Sequence, residues 1–178
     1  HGETAEAAVA TIDAVAPEIA GGASRDDLLG LLPRGCARNA LDAALWDLEA
    51  KAVGKRVHAL IGLPAPRPIL TAFTISLGAP ERMEADARAA LKYELLKLKL
   101  SGEGDLDRVA AVRRGNPHAR LIVDANEAWT GRDVAREAAA LVPYRVELIE
   151  QPVAAGQDHL LDGVRSPIPL CADETIHD

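Results

Sequence analysis

Apolar residues in the first third of the chain recur at the spacing of α-helices. Helical spacing, or the start and stop signals of a helix, marks four segments: residues 3–20, 24–32, 37–53 and 58–62. Gly21 and Gly54 supply stop signals after the first and the third of them. Prolines cluster at residues 64–68, and such clusters are typical of linkers between domains. The pattern therefore predicts a mainly helical region that ends near residue 64.

Beyond the prolines, short apolar runs alternate with polar, alanine-rich helical segments. The runs are residues 68–77, 94–100, 120–125, 145–150 and 168–173, and the helical segments are about 80–92, 105–115, 131–142 and 156–163. Near-continuous apolar strands separated by helices indicate a parallel sheet that is buried on both faces. This repeat fits a (β/α) barrel or a doubly wound sheet. No glycine-rich phosphate loop follows the first run, which disfavours the dinucleotide-binding form of the latter.

Composition limits the partners that we expect. The chain has 178 residues and a net charge of -7, which argues against nucleic acid or an anionic membrane as a general partner. No apolar run approaches the roughly 20 residues of a membrane span, and the first residues show no signal-peptide pattern. Cys36 and Cys171 are too few and too far apart for a disulfide framework. We therefore predict a cytoplasmic protein.

Two lysines on one predicted strand are the first candidates for chemistry. Because side chains alternate along a strand, Lys97 and Lys99 point to one face of the run 94–100. Three of its leucines point to the other face: Leu96, Leu98 and Leu100. Only five of the 20 basic residues are lysines, so this chain usually uses arginine for a positive charge. A crowded, partly buried lysine can lose its proton near neutral pH, whereas arginine cannot. A solvated basic face on an edge strand is the alternative interpretation.

Three acidic residues end successive predicted strands. Asp124, Glu150 and Asp173 are spaced by 26 and then 23 residues. Equivalent ends of neighbouring parallel strands lie side by side, so the carboxylates should converge where catalytic residues gather in barrels. Converging carboxylates repel one another unless a cation lies between them, and oxygen ligands favour a hard ion such as Mg²⁺. One such residue alone would usually cap the next helix, but three in consecutive units favour a metal site.

These charges together predict the removal of a proton next to a carboxylate. A Mg²⁺ ion bound to a substrate carboxylate can stabilise the enediolate that forms when the adjacent carbon loses a proton. A neutral lysine nearby can take that proton. A neighbouring lysine and the metal both disfavour the ammonium form and move the pKa of that lysine towards the working range.

The sequence around these residues resembles the muconate-lactonizing branch of the enolase superfamily. Lys97-Leu98-Lys99 looks like the K-x-K motif of that branch, and three further motifs resemble its metal-ligand motifs: Asp124-Ala125-Asn126, Glu150-Gln151-Pro152 and Ala172-Asp173-Glu174. Residues 37–48 look like the last helix of the family's capping domain, so the resemblance covers nearly the whole chain. Three stretches are similar to the dipeptide epimerases that act on L-Ala-D/L-Glu: residues 71–78, 124–129 and 169–174.

The resemblance implies a fold and a domain organisation. It implies an α/β protein with a partial (β/α) TIM-type barrel of about five parallel strands, preceded by the helical part of an α+β capping domain. Residues 1–64 would be the helical part of the capping domain, and residues 65–178 the first half of the barrel with the metal site. Family members continue for several more β/α units. We therefore expect a fragment that is inactive by itself and a homo-oligomer when full length.

The resemblance also implies roles for individual residues. The Mg²⁺ ligands would be Asp124, Glu150 and Asp173. Lys99 would be one acid/base, and Lys97 its electrostatic partner near the substrate carboxylate. Thr74 matches a substrate-contacting position at the end of the first barrel strand. Three neighbours would orient the ligands and the lysine: Asn126, Gln151 and Glu174. In the family, a second acid/base lysine lies on the next strand, beyond residue 178.

We therefore expect an isomerase that acts on a small-molecule substrate, a dipeptide or a related carboxylate. Its reaction would be epimerisation of L-Ala-D/L-Glu by two-base 1,1-proton transfer through a metal-stabilised enediolate. The nearest alternatives are other enzymes of the same branch: an N-acylamino acid racemase, an o-succinylbenzoate synthase or a muconate cycloisomerase. The alternative from another class is a non-catalytic fragment that keeps the metal cluster and serves as a folding or interaction unit.

Overall fold

The computed structural model describes residues 3–176, which form two compact units, residues 3–68 and residues 69–176. The described part of the first unit is helical, with α1 Ala5–Ala14, α2 Ala16–Ala20, α3 Arg25–Leu31, α4 Cys36–Ala52 and α5 Val57–Leu60. The Thr4 side chain caps α1, and Ser24 and Asp27 form a capping box at the start of α3. None of the described helices is long and apolar enough to cross a membrane.

The helix predicted over residues 3–20 is two helices, and that prediction was wrong at Val15. Here α1 ends at Ala14, and α2 begins at Ala16 with Pro17 in its first turn. Proline has no backbone N–H, and its ring clashes with the carbonyl four residues earlier, so one continuous helix cannot pass this position.

The second unit is a five-stranded parallel sheet with helices packed on it. Its elements are β1 Phe73–Ile75, α6 Pro80–Ala89, β2 Leu95–Lys99, α7 Asp105–Gly115, β3 Arg120–Asp124, α8 Val134–Leu141, β4 Val146–Glu150 and β5 Leu170–Cys171, with 3₁₀ turns at Val142–Tyr144 and Asp158–Leu161. The strands lie in the order β1-β2-β3-β4-β5. A doubly wound sheet reverses its order at a switch point, and this sheet does not. The predicted α/β fold with a five-stranded partial barrel is confirmed.

The hydrophobic core of the second unit lies on one face of the sheet. Apolar side chains of β2, β3 and β4 pack there with residues of α6, α7 and α8, among them Leu96, Leu98, Leu121, Val123 and Ile149. The opposite face carries side chains that are only partly buried, such as Lys97, Ile122 and Leu148. The sequence predicts a sheet that is buried on both faces. In the described residues, α6, α7 and α8 cover only the core face, so the prediction holds for that face alone.

Three of the predicted segments differ most in extent from the observed elements. β1 pairs with β2 only over Phe73–Ile75, so residues 68–72 of the first run lie outside the sheet, and the last run forms only the two residues of β5. The helix predicted at residues 156–163 is a 3₁₀ turn of four residues. Gly156 and Gly163 flank this turn with φ values of 80° and 73°, a left-handed conformation that ends helical structure.

A β-bulge in β4 determines which way Glu150 faces. Leu121 pairs with Val146, but the next residue of β3 pairs with Leu148, so Glu147 is an extra residue without a register partner. In an unbulged strand Glu150 would have the same orientation as Val146 and would face the core. With the bulge, Glu150 pairs with Asp124 and shares its face of the sheet. Because of this irregularity, the two carboxylates lie side by side.

Candidate metal and proton-transfer site

The carboxyl ends of neighbouring strands bring the predicted lysines and acids together. Lys99 pairs in register with Asp124, and Asp124 pairs with Glu150. Asp173 was predicted to end its strand, but β5 ends at Cys171, and Asp173 follows by two residues. Oxygen atoms of Asp124, Glu150 and Asp173 nevertheless all lie within 4.8 Å of one another. The three predicted ligands therefore form one cluster.

Both lysines of β2 contact this cluster. Lys97 Nζ lies 2.7 Å from both carboxylate oxygens of Glu150 and 2.9 Å from Asp124 Oδ2. Lys99 Nζ lies 2.6 Å from the same Oδ2 atom. Asp124 is fully buried, whereas the side chains of Lys97 and Lys99 are 21% and 35% exposed. Thr74, the predicted substrate contact, lies in the middle of β1, is exposed and pairs in register with Lys97.

Burial and ion pairing act in opposite directions on the charges of the cluster. Burial raises the pKa of Asp124, but hydrogen bonds from Lys99, Lys97 and the backbone N–H of Asn126 outweigh it and hold this pKa below its ordinary value. Burial lowers the pKa of Lys97, but hydrogen bonds to Glu150 and Asp124 outweigh it and raise this pKa above its ordinary value. At neutral pH the pair is therefore a carboxylate and an ammonium.

Gln151 connects the second and third acids of the cluster. It is fully buried, and its Oε1 atom accepts hydrogen bonds from the backbone N–H groups of Asp173 (2.7 Å) and Thr175 (3.1 Å). Its Nε2 atom donates to the carbonyl of Val153 (2.8 Å) and to Thr175 Oγ1 (2.9 Å), which donates to Asp158 Oδ1 (2.9 Å). The amide thus holds the turn that carries Asp173. Thr175 and Asp158 were not predicted, because no strand periodicity applies to loop residues.

Asn126 and Glu174 are the other two predicted neighbours, and they contact each other. The backbone N–H of Asn126 donates to Asp124 Oδ1 (3.0 Å), and its side-chain Nδ2 donates to Glu174 Oε1 (3.3 Å). Glu174 Oε2 is buried and has no hydrogen-bond partner among the described residues. Asn126, Glu127 and Gln151 have φ values of 44°, 67° and 37°. Such left-handed conformations are strained for residues other than glycine and concentrate at functional sites.

The donor set suits a hard divalent cation. It contains carboxylate oxygens alone, which are ligands that Mg²⁺ and Ca²⁺ prefer. Buried Asp124 and half-buried Glu150 lie beside exposed Asp173, so the cluster is open on one side. The backbone N–H of Asn126 donates to Asp124 Oδ1, and the backbone N–H of Asp173 donates to Gln151 Oε1. These bonds orient the two acids from outside the cluster. The residues present therefore fit a metal ion such as Mg²⁺.

The sequences of known families match both units of the chain. The family described as "Enolase C-terminal domain-like" matches residues 81–178, and "Mandelate racemase / muconate lactonizing enzyme, N-terminal domain" matches residues 4–62. The chain belongs to the enolase superfamily. The resemblance stated from the sequence motifs is therefore confirmed, and the lysine and carboxylate cluster of this superfamily member lies within the matched C-terminal region.

Two curated proteins show how the chain relates to enzymes of the superfamily. The L-Ala-D/L-Glu epimerase of Escherichia coli (strain K12) is 38% identical over 179 residues, which cover 99% of this chain and 56% of that protein. The N-acetyl-D-glutamate racemase of Pseudoalteromonas sp is 42% identical over 151 residues, which cover 85% of this chain and 48% of that protein. The chain thus spans about half the length of these relatives.

Solved structures of the superfamily share the fold. An enolase family member from Agrobacterium tumefaciens with homology to dipeptide epimerases, with bound sodium and L-Ala-L-Glu, has a TM-score of 0.91 at 42% identity. The match covers 99% of this chain and 54% of that chain. The dipeptide epimerase from Cytophaga hutchinsonii, complexed with Mg and the dipeptide D-Ala-L-Val, has a TM-score of 0.87 at 28% identity and is matched over 52% of its chain, against 99% of this chain.

Proposed function

We propose that this chain is the part of a Mg²⁺-dependent epimerase that carries the metal site and one proton-transfer group. The substrate is a dipeptide of the L-Ala-D/L-Glu type. The observation that carries the proposal is the cluster in which Lys97, Lys99 and three carboxylates meet at one end of a parallel sheet. The epimerases and racemases among the relatives support the reaction class.

Asp124, Glu150 and Asp173 would hold the metal ion. When bound, Mg²⁺ would supply positive charge that stabilises the negative charge developing on a substrate carboxylate as the adjacent carbon loses its proton. Asn126 and Gln151 would keep Asp124 and Asp173 in place through the hydrogen bonds described above. Members of the superfamily with bound ions support this assignment, since one is complexed with Mg and another has bound sodium.

The two lysines would have different tasks. Lys97 lies against both oxygens of Glu150 and against Asp124, and its ammonium group would attract a substrate carboxylate. Lys99 contacts a single carboxylate oxygen and is the more exposed of the two, so it is the better placed to exchange a proton with substrate. Inversion also needs a proton donor on the opposite face of the substrate, and a residue outside residues 1–178 would supply it.

Racemisation of an N-acetylglutamate is the second candidate function. The N-acetyl-D-glutamate racemase relative is 42% identical to this chain, at least as similar per residue as the epimerase relative. Both relatives' names describe a glutamate whose nitrogen is acylated, by alanine in one and by acetate in the other. The alanyl group carries an amino group and one more carbon than the acetyl group, so one assay with both substrates can separate the two functions.

Proton exchange in D₂O tests both candidates directly. The protein produced from its complete gene would be incubated with Mg²⁺ and L-Ala-L-Glu, L-Ala-D-Glu or N-acetyl-D-glutamate. NMR would then follow loss of the α-proton and inversion of glutamate. We expect exchange and inversion with the dipeptides that stop when a chelator removes the metal. Turnover of N-acetylglutamate alone would favour the second candidate. Metal binding without exchange on any substrate would contradict both and favour a non-catalytic role.

A further inference from the structure

Asp105 is a buried carboxylate that the proposed reaction does not use. It is 4% exposed and accepts four hydrogen bonds. Its Oδ1 atom accepts from the backbone N–H of Ser101 (3.0 Å) and from Arg108 Nη1 (3.2 Å). Its Oδ2 atom accepts from the backbone N–H of Gly102 (2.8 Å) and from Trp129 Nε1 (2.9 Å). A buried carboxylate with a full set of donors fixes the groups that donate to it.

Three of these four donors come from the loops that follow the lysine and the first acid of the site. Ser101 and Gly102 follow Lys99 at the end of β2, whereas Trp129 follows Asp124 at the end of β3. One carboxylate therefore joins the loop after the proton-transfer lysine to the loop after the buried metal ligand. Trp129 is itself 1% exposed, so its indole has one fixed position.

The same network extends to the loops on either side. Arg108 Nε donates to the carbonyl of Gly78, in the loop after β1 (3.0 Å). The backbone N–H of Trp129 donates to the carbonyl of Pro152, in the loop after β4 (2.9 Å). Arg108, Asp105 and Trp129 thus connect four consecutive strand-to-helix loops on the side of the sheet that carries the site.

The central two loops also approach each other closely. Gly102 has a φ of 93°, and a Cβ atom at this position would lie 2.9 Å from the carbonyl oxygen of Ala128. Only glycine fits such a contact without a shift of one loop. The separation of the two loops is therefore set by backbone packing and by the carboxylate of Asp105 together.

We propose that Asp105 is a positioning residue that holds Lys99 and Asp124 at their working separation, through its hydrogen bonds to the 101–102 turn and to Trp129. The inference rests on the proposed function, because that separation matters only if Lys99 exchanges a proton beside a metal bound by Asp124. Asp105 is not one of the proposed metal ligands, and its hydrogen bonds run to the two loops and to Arg108, so its effect would be transmitted by the loops.

Two variants remove the link from opposite ends. Asp105→Asn removes the charge and places an NH₂ group among donors, and Trp129→Phe removes only the indole donor while keeping an aromatic ring. Asp107→Asn is the matched control, because Asp107 lies in the same first turn of α7 but is exposed. All three variants would be made in the protein produced from its complete gene. They would be assayed at a temperature at which circular dichroism shows that each variant is folded.

We expect both variants to lower kcat or Mg²⁺ affinity by about 10- to 100-fold, with little change in the KM of the dipeptide. The double variant should lose little more than either single one, because both remove the same link. The indole N–H resonance of Trp129 should move in Asp105→Asn and stay in place in Asp107→Asn. If Asp105→Asn does not fold, Trp129→Phe alone decides the kinetic question.

Unchanged kcat and unchanged Mg²⁺ affinity in folded Trp129→Phe would overturn the inference, as would a loss of the same size in Asp107→Asn. These outcomes differ from a failure of the proposed function, in which the unsubstituted protein itself turns over no dipeptide. The magnesium titration and the indole resonance test the link to Asp124 in that case too, because neither depends on the substrate.

Discussion

Lys97 and Lys99 lie two residues apart on one strand but have different electrostatic surroundings. Lys97 contacts two carboxylates and has a raised pKa, whereas Lys99 contacts one oxygen of Asp124. A lysine held as an ammonium between two carboxylates can stabilise negative charge, whereas Lys99 has one acidic neighbour and a more exposed side chain. The register of β2 with β3 places Lys99 directly beside Asp124, whereas Lys97 lies opposite Ile122 and reaches both Asp124 and Glu150.

Replacing Lys99 tests the proton-transfer role. Lys99→Arg should lower kcat for epimerisation by about 10²- to 10⁴-fold, because a guanidinium keeps its proton. Lys99→Ala should also fail to epimerise, although deuterium exchange through the opposite face can survive. Deuterium incorporation and inversion would be measured separately by NMR. Lys55→Arg, at an exposed position, is the control and should stay fully active. Full epimerase activity in Lys99→Arg would contradict the role.

Replacing Asp124 tests the metal site. Asp124→Asn removes a buried negative charge that two lysines and one backbone N–H contact. It should weaken Mg²⁺ binding by at least about tenfold, because Mg²⁺ prefers charged oxygen ligands. Isothermal titration calorimetry would measure the affinity, with the exposed Asp162→Asn variant as a control. Equal affinities in both variants would show that Asp124 is not a ligand.

The sequence was informative for residues on strands and uninformative for residues in loops. Lys97, Lys99 and Asp124 are clustered as expected, because strand alternation and strand ends place side chains by simple rules. Glu150 also ends its strand as expected, but it faces Asp124 because of the bulge in β4. Asp105, at the start of α7, and Thr175 and Asp158 make hydrogen bonds around the site, but no period predicts their partners, which are backbone groups and side chains distant in sequence or in loops. Asp173 falls between these cases, because it lies just beyond its strand.

At the level of elements, the alternation of strands and helices was predictable and its irregularities were not. The five runs and the order of the helices follow from apolar periodicity, and the structure keeps them. The bulge at Glu147 left no pattern in the sequence, because one inserted residue changes only the pairing with β3. Pro17 is the cause of the break between α1 and α2. The alanine-rich pattern continues on both sides of this proline, so the pattern alone predicts one helix.

Helices α6 and α7 pack so closely at Gly115 that a side chain would not fit. A Cβ atom at Gly115 would overlap the carbonyl oxygen of Glu84 and lie 3.0 Å from the Ala87 Cβ. Gly115→Ala should therefore destabilise the second unit by about 1–3 kcal/mol. Gly30→Ala is the matched control, because Gly30 lies in α3 with nothing within 4 Å of its Cβ position.

The two glycine substitutions should act with opposite signs. Gly30→Ala should stabilise α3 by about 0.5–1 kcal/mol, because alanine has less freedom to lose on folding. Native-state hydrogen exchange, read by mass spectrometry on peptides from α3 and from α7, would measure each change in its own unit. Protection of α7 that is unchanged in Gly115→Ala would show that the two helices can separate without loss of stability.

At the scale of the molecule, the described sheet has two unpaired edges, and no described helix covers the face opposite the core. β1 and β5 each pair with only one strand, and the face opposite the core carries partly buried Ile122 and Leu148. Large apolar side chains are also exposed elsewhere in the second unit, among them Ile69 (86%) and Ile176 (66%). Unpaired strand edges and exposed apolar surface both favour association with another chain.

A polypeptide of residues 1–178 expressed by itself should therefore self-associate. Light scattering during size-exclusion chromatography should give a mass above 18.8 kDa that rises with concentration. A variant with Ile69→Lys and Ile176→Lys should associate less. The charged lysine side chains would disfavour contact between the apolar surfaces and strand edges of two copies. The polypeptide should bind Mg²⁺ through Asp124, Glu150 and Asp173. It should not invert the dipeptide, because Lys99 would exchange the proton on only one face of the α-carbon. A monomer at all concentrations with full epimerase turnover would contradict both the partial-barrel interpretation and the need for a second proton donor.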